Sequence, residues 1–472
     1  MGNQGSTGPE EQSARDRLFA SEIDQVLARL EVAEAKLERL EQSSQVAASA
    51  LLTHGKRIER LRIDKQITGL PSWMWRRLRS NNDETPDQDL PFAPKRDQLL
   101  IIAPKYPTAG DSYGGQPVQR RVRFYRSSGL DVVVFVPDSG DLTSENSDGV
   151  EVIRGTIDKI PEILAEVCPA QICWHHPSPD VWPWLRSYLG RIPMHVWIHG
   201  FEARPWRELE QNYATDEIVE RGSYWDALEV DRRRLMNDLF LDKRVTKVFV
   251  SQFMRGVAES FAGVAAINAQ VIHNVVDTDL FKYRKKEPAM RQRVVAVRSF
   301  SARNYGTDLL SQAIQELAGS DAFASMSFEI YGDGKHFEED MAFLHKYPNV
   351  SVFQRFLEPA EMVDIFGRNG VLLIPTRWDS QGMTLGEGMA SGLVPVTNAV
   401  ASIPEFVDKS IGVLAPSDDT SALARGLLAL QSDPELFLEM SAGAAERARR
   451  QTGPEATVGS EVELLRATIA SF

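Results

Sequence analysis

Cysteine is nearly absent from this chain of 472 residues: there are two, Cys168 and Cys173, in "CPAQIC". A structural zinc site needs more sulfur or histidine partners at suitable spacing, so the pair reads as buried thiols in a reducing compartment. Long apolar runs are also missing. None approaches the roughly 20 residues that span a bilayer, and the first thirty residues have no apolar core of the signal-peptide kind. Nor is there a basic excess. Acidic residues number 66 against 53 basic, a net charge of -13, which argues against general nucleic-acid binding and leaves only local basic patches open. A cytoplasmic protein is expected, or one held on a membrane from one side.

What is present suits an ordinary globular protein, with 43% hydrophobic and 25% charged residues, in a chain long enough for two or three cores. Residues 1–20 are polar and glycine-containing and are expected to be a disordered tail. Over 21–65, Ile23, Val26, Leu30, Ala33, Leu37 and Leu40 recur at alternating steps of three and four with charged flanks. That pattern suits a coiled coil, or else a single helix packed on the domain behind it. Residues 66–97 form a linker whose Trp73 and Trp75, beside Arg76, Arg77 and Arg79, suit either a membrane interface or docking onto the protein.

From residue 98 onward, short β-branched runs alternate with amphipathic helical stretches. "QLLIIAPK", "DVVVFVPD", "VEVIRG", "AQICWHH", "MHVWIHG", "KVFVSQF" and "AQVIHNVV" come first. "RVVAVRSF", "SFEIYGDG", "VSVFQRF", "GVLLIP", "VPVTNAV" and "GVLAPS" follow. Runs buried on both faces between crossover helices predict parallel sheets. Two in series predict an α/β architecture of two Rossmann-like domains facing a cleft, over 98–283 and 284–452, with a C-terminal helix at 453–472 packing back on the first domain. Ligands of such sheets sit beyond the carboxyl ends of the strands.

Residues at those ends are the candidates. Gly114 and Gly115 precede a helix, where backbone amides attract anions or simply make a turn. His199 ends an apolar strand ahead of Gly200 and Glu202; His175 and His176 end another with a weaker claim. Arg298 and Arg303 lie between a strand and a helix and could clamp a diphosphate. Gly332 and Gly334 read as a turn. Asp277 and Asp279 spell a literal DxD for metal and sugar nucleotide, but beside an interdomain linker such aspartates can simply cap a turn, which is the favoured reading. In "RWDSQGMTLGEGMASG", Asp379 sits in a loop, Gly382 is the turn, and a helix begins near Met383 with Glu387 one turn inside. The amides of Met383, Thr384 and Leu385 are free donors at that helix start. The two acids could therefore hold different ends of one elongated ligand.

In this order the motifs resemble the retaining GT-B glycosyltransferases of family 4, the glycosyl transferases group 1, over about residues 98 to 450. Tyr106-Pro107 with Gly114-Gly115 is similar to that family's "YPP…GG", "WIHG" to its histidine-glycine strand end, and "VIHNVVDTDLF" to its "IPNGVD…F". "VRSFSARNYGTDLL" resembles "GRL…KG…LL", with Arg298 on the arginine and Arg303 on the lysine. "WDSQGMTLGEGMASGLVPV" resembles the E-x7-E block, with Asp379 in place of the first glutamate.

The resemblance implies transfer of a hexose from a nucleotide diphosphate sugar to a hydroxyl of a glycan or glycolipid, with retained configuration, in bacterial surface polysaccharide synthesis. It implies no metal and no cofactor beyond the nucleotide-sugar co-substrate. Arg298, Arg303 and the amides after Gly382 would stabilise the diphosphate, and Glu387 would hold the ribose. Asp379 would hold sugar hydroxyls, and His199 would meet the sugar from the facing domain. The N-terminal helix would make a homo-oligomer or bind a partner protein, on the cytoplasmic side of the inner membrane. Two other readings stay open: a nucleotide-sugar epimerase of the same fold, and a coiled-coil scaffold carrying a silent transferase domain.

Overall fold

The computed structural model describes residues 93–108 and 114–471; the expected coiled coil and the tryptophan–arginine segment lie outside these residues. Two sheets dominate. The first has eight strands in the order β3-β4-β2-β1-β5-β6-β7-β8. These are β1 Lys95–Ile102, β2 Asp131–Pro137, β3 Thr143–Ser147, β4 Val150–Gly155, β5 Pro169–His175, β6 Met194–Ile198, β7 Val245–Phe249 and β8 Ala269–Val271. The second has six in the order β11-β10-β9-β12-β13-β14: β9 Arg293–Val297, β10 Ser327–Gly332, β11 Val350–Gln354, β12 Val371–Leu373, β13 Val394–Asn398 and β14 Val413–Ala415.

Every strand pair is parallel except β3 with β4. The two parallel sheets agree with the expected architecture, and all thirteen strand-like runs are strands. The departure is β3, an antiparallel edge strand of sequence TSENS. It contains no apolar residue, and its pairing follows from the turn at Asp148-Gly149, both left-handed at φ 53° and 78°, which folds it back on β4.

Alternation explains the cores. Leu100 and Ile102 of β1 pack on one face of the first sheet with Val133, Ile172, Trp174 and Phe249, while Leu99 and Ile101 pack on the other with Val132, Val134 and Tyr125. A parallel strand covered on both faces needs apolar residues at both parities, hence the continuous runs. The second sheet is sandwiched in the same way. Val276 and Phe281 already pack in its core. The chain crosses between the sheets twice, and the crossings touch: the Val276 amide donates to the Thr452 carbonyl at 2.8 Å.

After the second crossing, helix Ser460–Ser471 returns to the first sheet, where Val462 and Leu465 join its core. Glu461, fully buried, fixes this docking. It accepts from Arg121 Nε (3.0 and 3.2 Å), Tyr125 Oη (2.6 Å) and Trp197 Nε1 (2.9 Å). No helix among the described residues is long and apolar enough to cross a membrane.

Candidate functional site

Among the parallel strands, each sheet reverses its order at one place, β1/β5 in the first and β9/β12 in the second. Crevices in open α/β sheets form at such switch points, beyond the carboxyl ends of the strands. The two sets of ends face one another here. Asn274, just past β8, exchanges two hydrogen bonds with Gln381, past β12 (2.6 and 2.9 Å). Glu405 of the second sheet's side accepts from the amides of Gln252 and Phe253 at the start of helix Gln252–Ala262 (2.9 and 2.5 Å). Asn212 accepts from the Asn304 amide at 2.9 Å.

On the second domain's side, the loops after β9 and β12 are bound together by Arg298. This side chain is 8% exposed. Its Nε donates to the Tyr305 carbonyl (3.1 Å) and its Nη2 to the Pro375 carbonyl (3.2 Å); Nη1 donates to no group among the described residues. Burial holds its pKa below the usual arginine value, with Asp379 acting in the opposite sense.

Asp379 caps its own loop, its Oδ1 accepting from the amides of Gly382 (2.7 Å) and Gln381 (3.1 Å). Gly382 is left-handed at φ 84°, ψ 73°, a conformation that disfavours any side chain. It starts helix Met383–Ala390, which no side chain caps, so the first amides, Met383, Thr384 and Leu385, are the free donors of a helix N-terminus. Glu387, 4% exposed, lies one turn in. Its Oε1 pairs with Arg120 Nη1 at 2.6 Å, across from helix Gln116–Ser127 of the first domain. Burial raises the Glu387 pKa, Arg120 opposes the rise, and Asp277 adds to it.

Arg303 sits differently from its neighbours. Its Nη1 donates to Asp340 (2.6 Å) and its Nη2 to Glu339 (2.6 Å), the latter largely exposed. The cation lies at the site but is already clasped by acids.

On the first domain's side, Gly115 (φ 82°) starts helix Gln116–Ser127, with Gly114 before it; a Cβ on Gly115 would lie 2.3 Å from the Lys105 carbonyl oxygen. His199 ends β6 within a cluster. Its Nε2 lies 3.0 Å from His175 Nδ1, and its ring stacks on His176 at 4.2 Å. Burial, then the neighbouring histidines, push His199 well below the usual imidazole range, and burial does the same to His175. Glu202, itself buried, accepts from the amides of His199 and Gly200 and lies 3.2 Å from His176 Nδ1. Burial alone would raise its pKa; His176 and the amides more than offset that and lower it.

The structure thus brings Arg298, Asp379, Gly382 to Leu385 and Glu387 onto one wall, with Gly115 and His199 on the other. Asp277 Oδ1 accepts from the amides of Asp279 and Leu280 (3.2 and 3.0 Å), the turn cap expected of it. Three residues escaped the sequence reading. Arg120 meets Glu387. Arg204 stacks on Trp378, its Cζ 3.8 Å from the ring centroid, and Trp378 also closes on Gly200. Arginine and tryptophan flanking loop glycines were the signal available.

Residues 291–433 match the family model "Glycosyl transferases group 1". The D-inositol 3-phosphate glycosyltransferase of Saccharomonospora viridis is 30% identical over 122 residues, 25% of this chain and 28% of that one. The chain spans between 28% and 58% of the lengths of the curated relatives it matches. Among solved structures, sucrose-phosphate synthase from Thermosynechococcus elongatus superposes with a TM-score of 0.61 at 15% identity, covering 80% of this chain and 100% of that chain. Anabaena HepE in complex with UDP and glucose gives 0.57 at 14%, covering 80% and 100%. Residues 291–433 therefore carry a Glycosyl transferases group 1 domain, set in a GT-B-like fold of two facing sheets.

Proposed function

We propose that the chain is a retaining, metal-independent hexosyltransferase of family 4. It would move a hexose from a nucleotide diphosphate sugar to a hydroxyl of a glycan or glycolipid acceptor in bacterial surface polysaccharide synthesis. The observation that carries this reading is the wall at the second switch point, inside the stretch that matches the group 1 model. There a buried arginine, an uncapped helix start and a buried glutamate follow one another from β9 through helix Met383–Ala390.

In this reading Arg298 Nη1 and the amides of Met383, Thr384 and Leu385 meet the charge that develops on the departing diphosphate. Such preorganised donors cost no reorganisation during reaction. Arg303 adds positive potential, and direct contact through its terminal nitrogens requires release of Glu339. Glu387 takes the ribose hydroxyls, exchanging Arg120 for them. Asp379 keeps its loop folded with Oδ1 and offers Oδ2 to the sugar, while His199 approaches from the other wall through Nδ1. Gly115 lets the first domain's backbone close on the ligand, and closure excludes water.

The test is the fate of the donor sugar followed by proton NMR. With a glycan or glycolipid acceptor panel, the reading predicts a new glycosidic bond with the donor's anomeric configuration. Conversion of the donor to an epimer without transfer would replace it by the epimerase reading. An inert protein that still binds partners would favour the scaffold.

A further inference from the structure

Among the described residues, the other buried arginines are held by acceptors: Arg121 by Glu461, Arg232 by the Phe201 carbonyl and Arg298 by two carbonyls. Arg204 is the exception. It is 8% exposed, its guanidinium makes no hydrogen bond or ion pair with the described residues, and its Nη1 is wholly enclosed without a partner. It lies over the face of Trp378, its Cζ 3.8 Å from the ring centroid. Two carboxylates act on it through space, Glu208 and then Glu202, but neither pairs with it, and Glu202 is committed to His176 and two amides. Arg232, also buried and with an unpartnered Nε, adds positive charge from the same side. A buried cation with unsatisfied donors is costly unless an anion arrives to complete it.

The position says which anion. Arg204 follows His199, Gly200 and Glu202 past β6, and Trp378 directly precedes Asp379. Gly200 and Trp378 are in van der Waals range, the Cβ position of one 3.5 Å from the ring of the other. This is the end of the cleft assigned above to the sugar, away from Glu387. A plain hexose offers no charge there; a hexuronate offers a carboxylate at C6. Asp379, whose Oδ1 is spent on the amides of Gly382 and Gln381, leaves Arg204 as the stronger reader at that end. We propose that Arg204, stacked on Trp378, receives the carboxylate of a nucleotide-linked hexuronate donor. Guanidinium and carboxylate match in shape and charge, and the site's exclusion of water strengthens the bond.

The proposal rests on the nucleotide-sugar reading, and the test separates the two. Dissociation constants are measured on the full chain for UDP-glucuronate against UDP-glucose and for GDP-mannuronate against GDP-mannose, pairs that differ only at C6. Within the pair that binds, the uronate is expected roughly 10- to 100-fold tighter, the range for a hydrogen bond to a charged group. Arg204→Gln should erase that preference while leaving the neutral hexose within about 3-fold, and Arg204→Lys should restore part of it. Equal or tighter binding of the neutral hexose by the parent overturns the proposal and leaves the nucleotide-sugar reading standing. So does an equal loss for both sugars in Arg204→Gln, the behaviour of a mere stack between domains. If that variant does not fold, the parent's preference decides alone. Binding of none of the four counts against both readings.

Discussion

Glu461→Ala removes the acid that ties the last helix to the first sheet. The loss is large because all three of its partners are fully buried. Arg121 is at 0% exposure, as is Tyr125, and both donate to the same carboxylate as the Trp197 indole. Without it a guanidinium, a phenol and an indole N–H are left buried, and the phenol is already pushed far above its usual pKa by burial. Removing one partner of a buried pair costs about 3–5 kcal/mol. For a domain of this size that is roughly 6–20 °C in Tm, at about 2–4 °C per kcal/mol. The exposed pair of Arg123, on the same helix as Arg121, with Asp148 is the control; Arg123→Ala should cost under about 1 kcal/mol. Replacing both partners, Arg121→Met with Glu461→Leu, should recover part of the loss, because no charge is left behind although the Tyr125 and Trp197 donors stay unpaired. Differential scanning calorimetry reads all three. A Glu461→Ala shift no larger than that of Arg123→Ala would refute the reasoning, as would a double variant worse than the single.

Three further outcomes are expected. Burial lowers His195 to about 4 and pushes His175 and His199 down as well. Below an unfolded pKa near 6.5 the unfolded chain gains protons that the folded one refuses, so stability falls as pH falls, by about 1.4 kcal/mol per pH unit for each such histidine. Urea denaturation at pH 7.5 and 5.5 checks the sign; equal or higher stability at pH 5.5 contradicts it. Gly115→Ala places a Cβ 2.3 Å from the Lys105 carbonyl oxygen at a left-handed φ; donor affinity should fall at least 10-fold as the loop shifts, and unchanged affinity would remove that loop from the site. Arg120→Ala takes away the cation that opposes the burial-raised pKa of Glu387. The acid limb of donor binding should move to higher pH, and an unmoved limb would separate Glu387 from the nucleotide.

Periodicity made the two sheets legible, since a parallel strand buried on both faces announces itself as Leu99 to Ile102 or Val132 to Val136 do. β3 stayed hidden because TSENS is polar at both parities; only its pairing with β4 makes it a strand. The wall from Asp379 to Glu387 was readable because one loop and one helix turn carry it. Its counterparts were not. "QRRVRF" contains three arginines, and only the fold decides that Arg120 crosses to Glu387, Arg121 is buried on Glu461 340 residues away, and Arg123 meets solvent. Arg204 and Trp378 belong to loops of different domains, so no local pattern joins them. The aspartate at 379 was visible from the start; that its carboxylate folds its own loop was not.

The central claim is that the wall after β9 and β12 binds and activates a nucleotide diphosphate sugar. Release of nucleoside diphosphate from a panel of nucleotide sugars, compared between the parent, Arg298→Ala and Glu387→Ala, tests it most directly, with circular dichroism confirming that each variant is folded. The account predicts release by the parent from at least one donor, a fall of about 100-fold or more in Arg298→Ala, of the order seen when one charge-stabilising donor is removed, and a clear fall in Glu387→Ala, which loses the ribose contact. Near-parental release by both folded variants, or none by the parent from any donor, would contradict it.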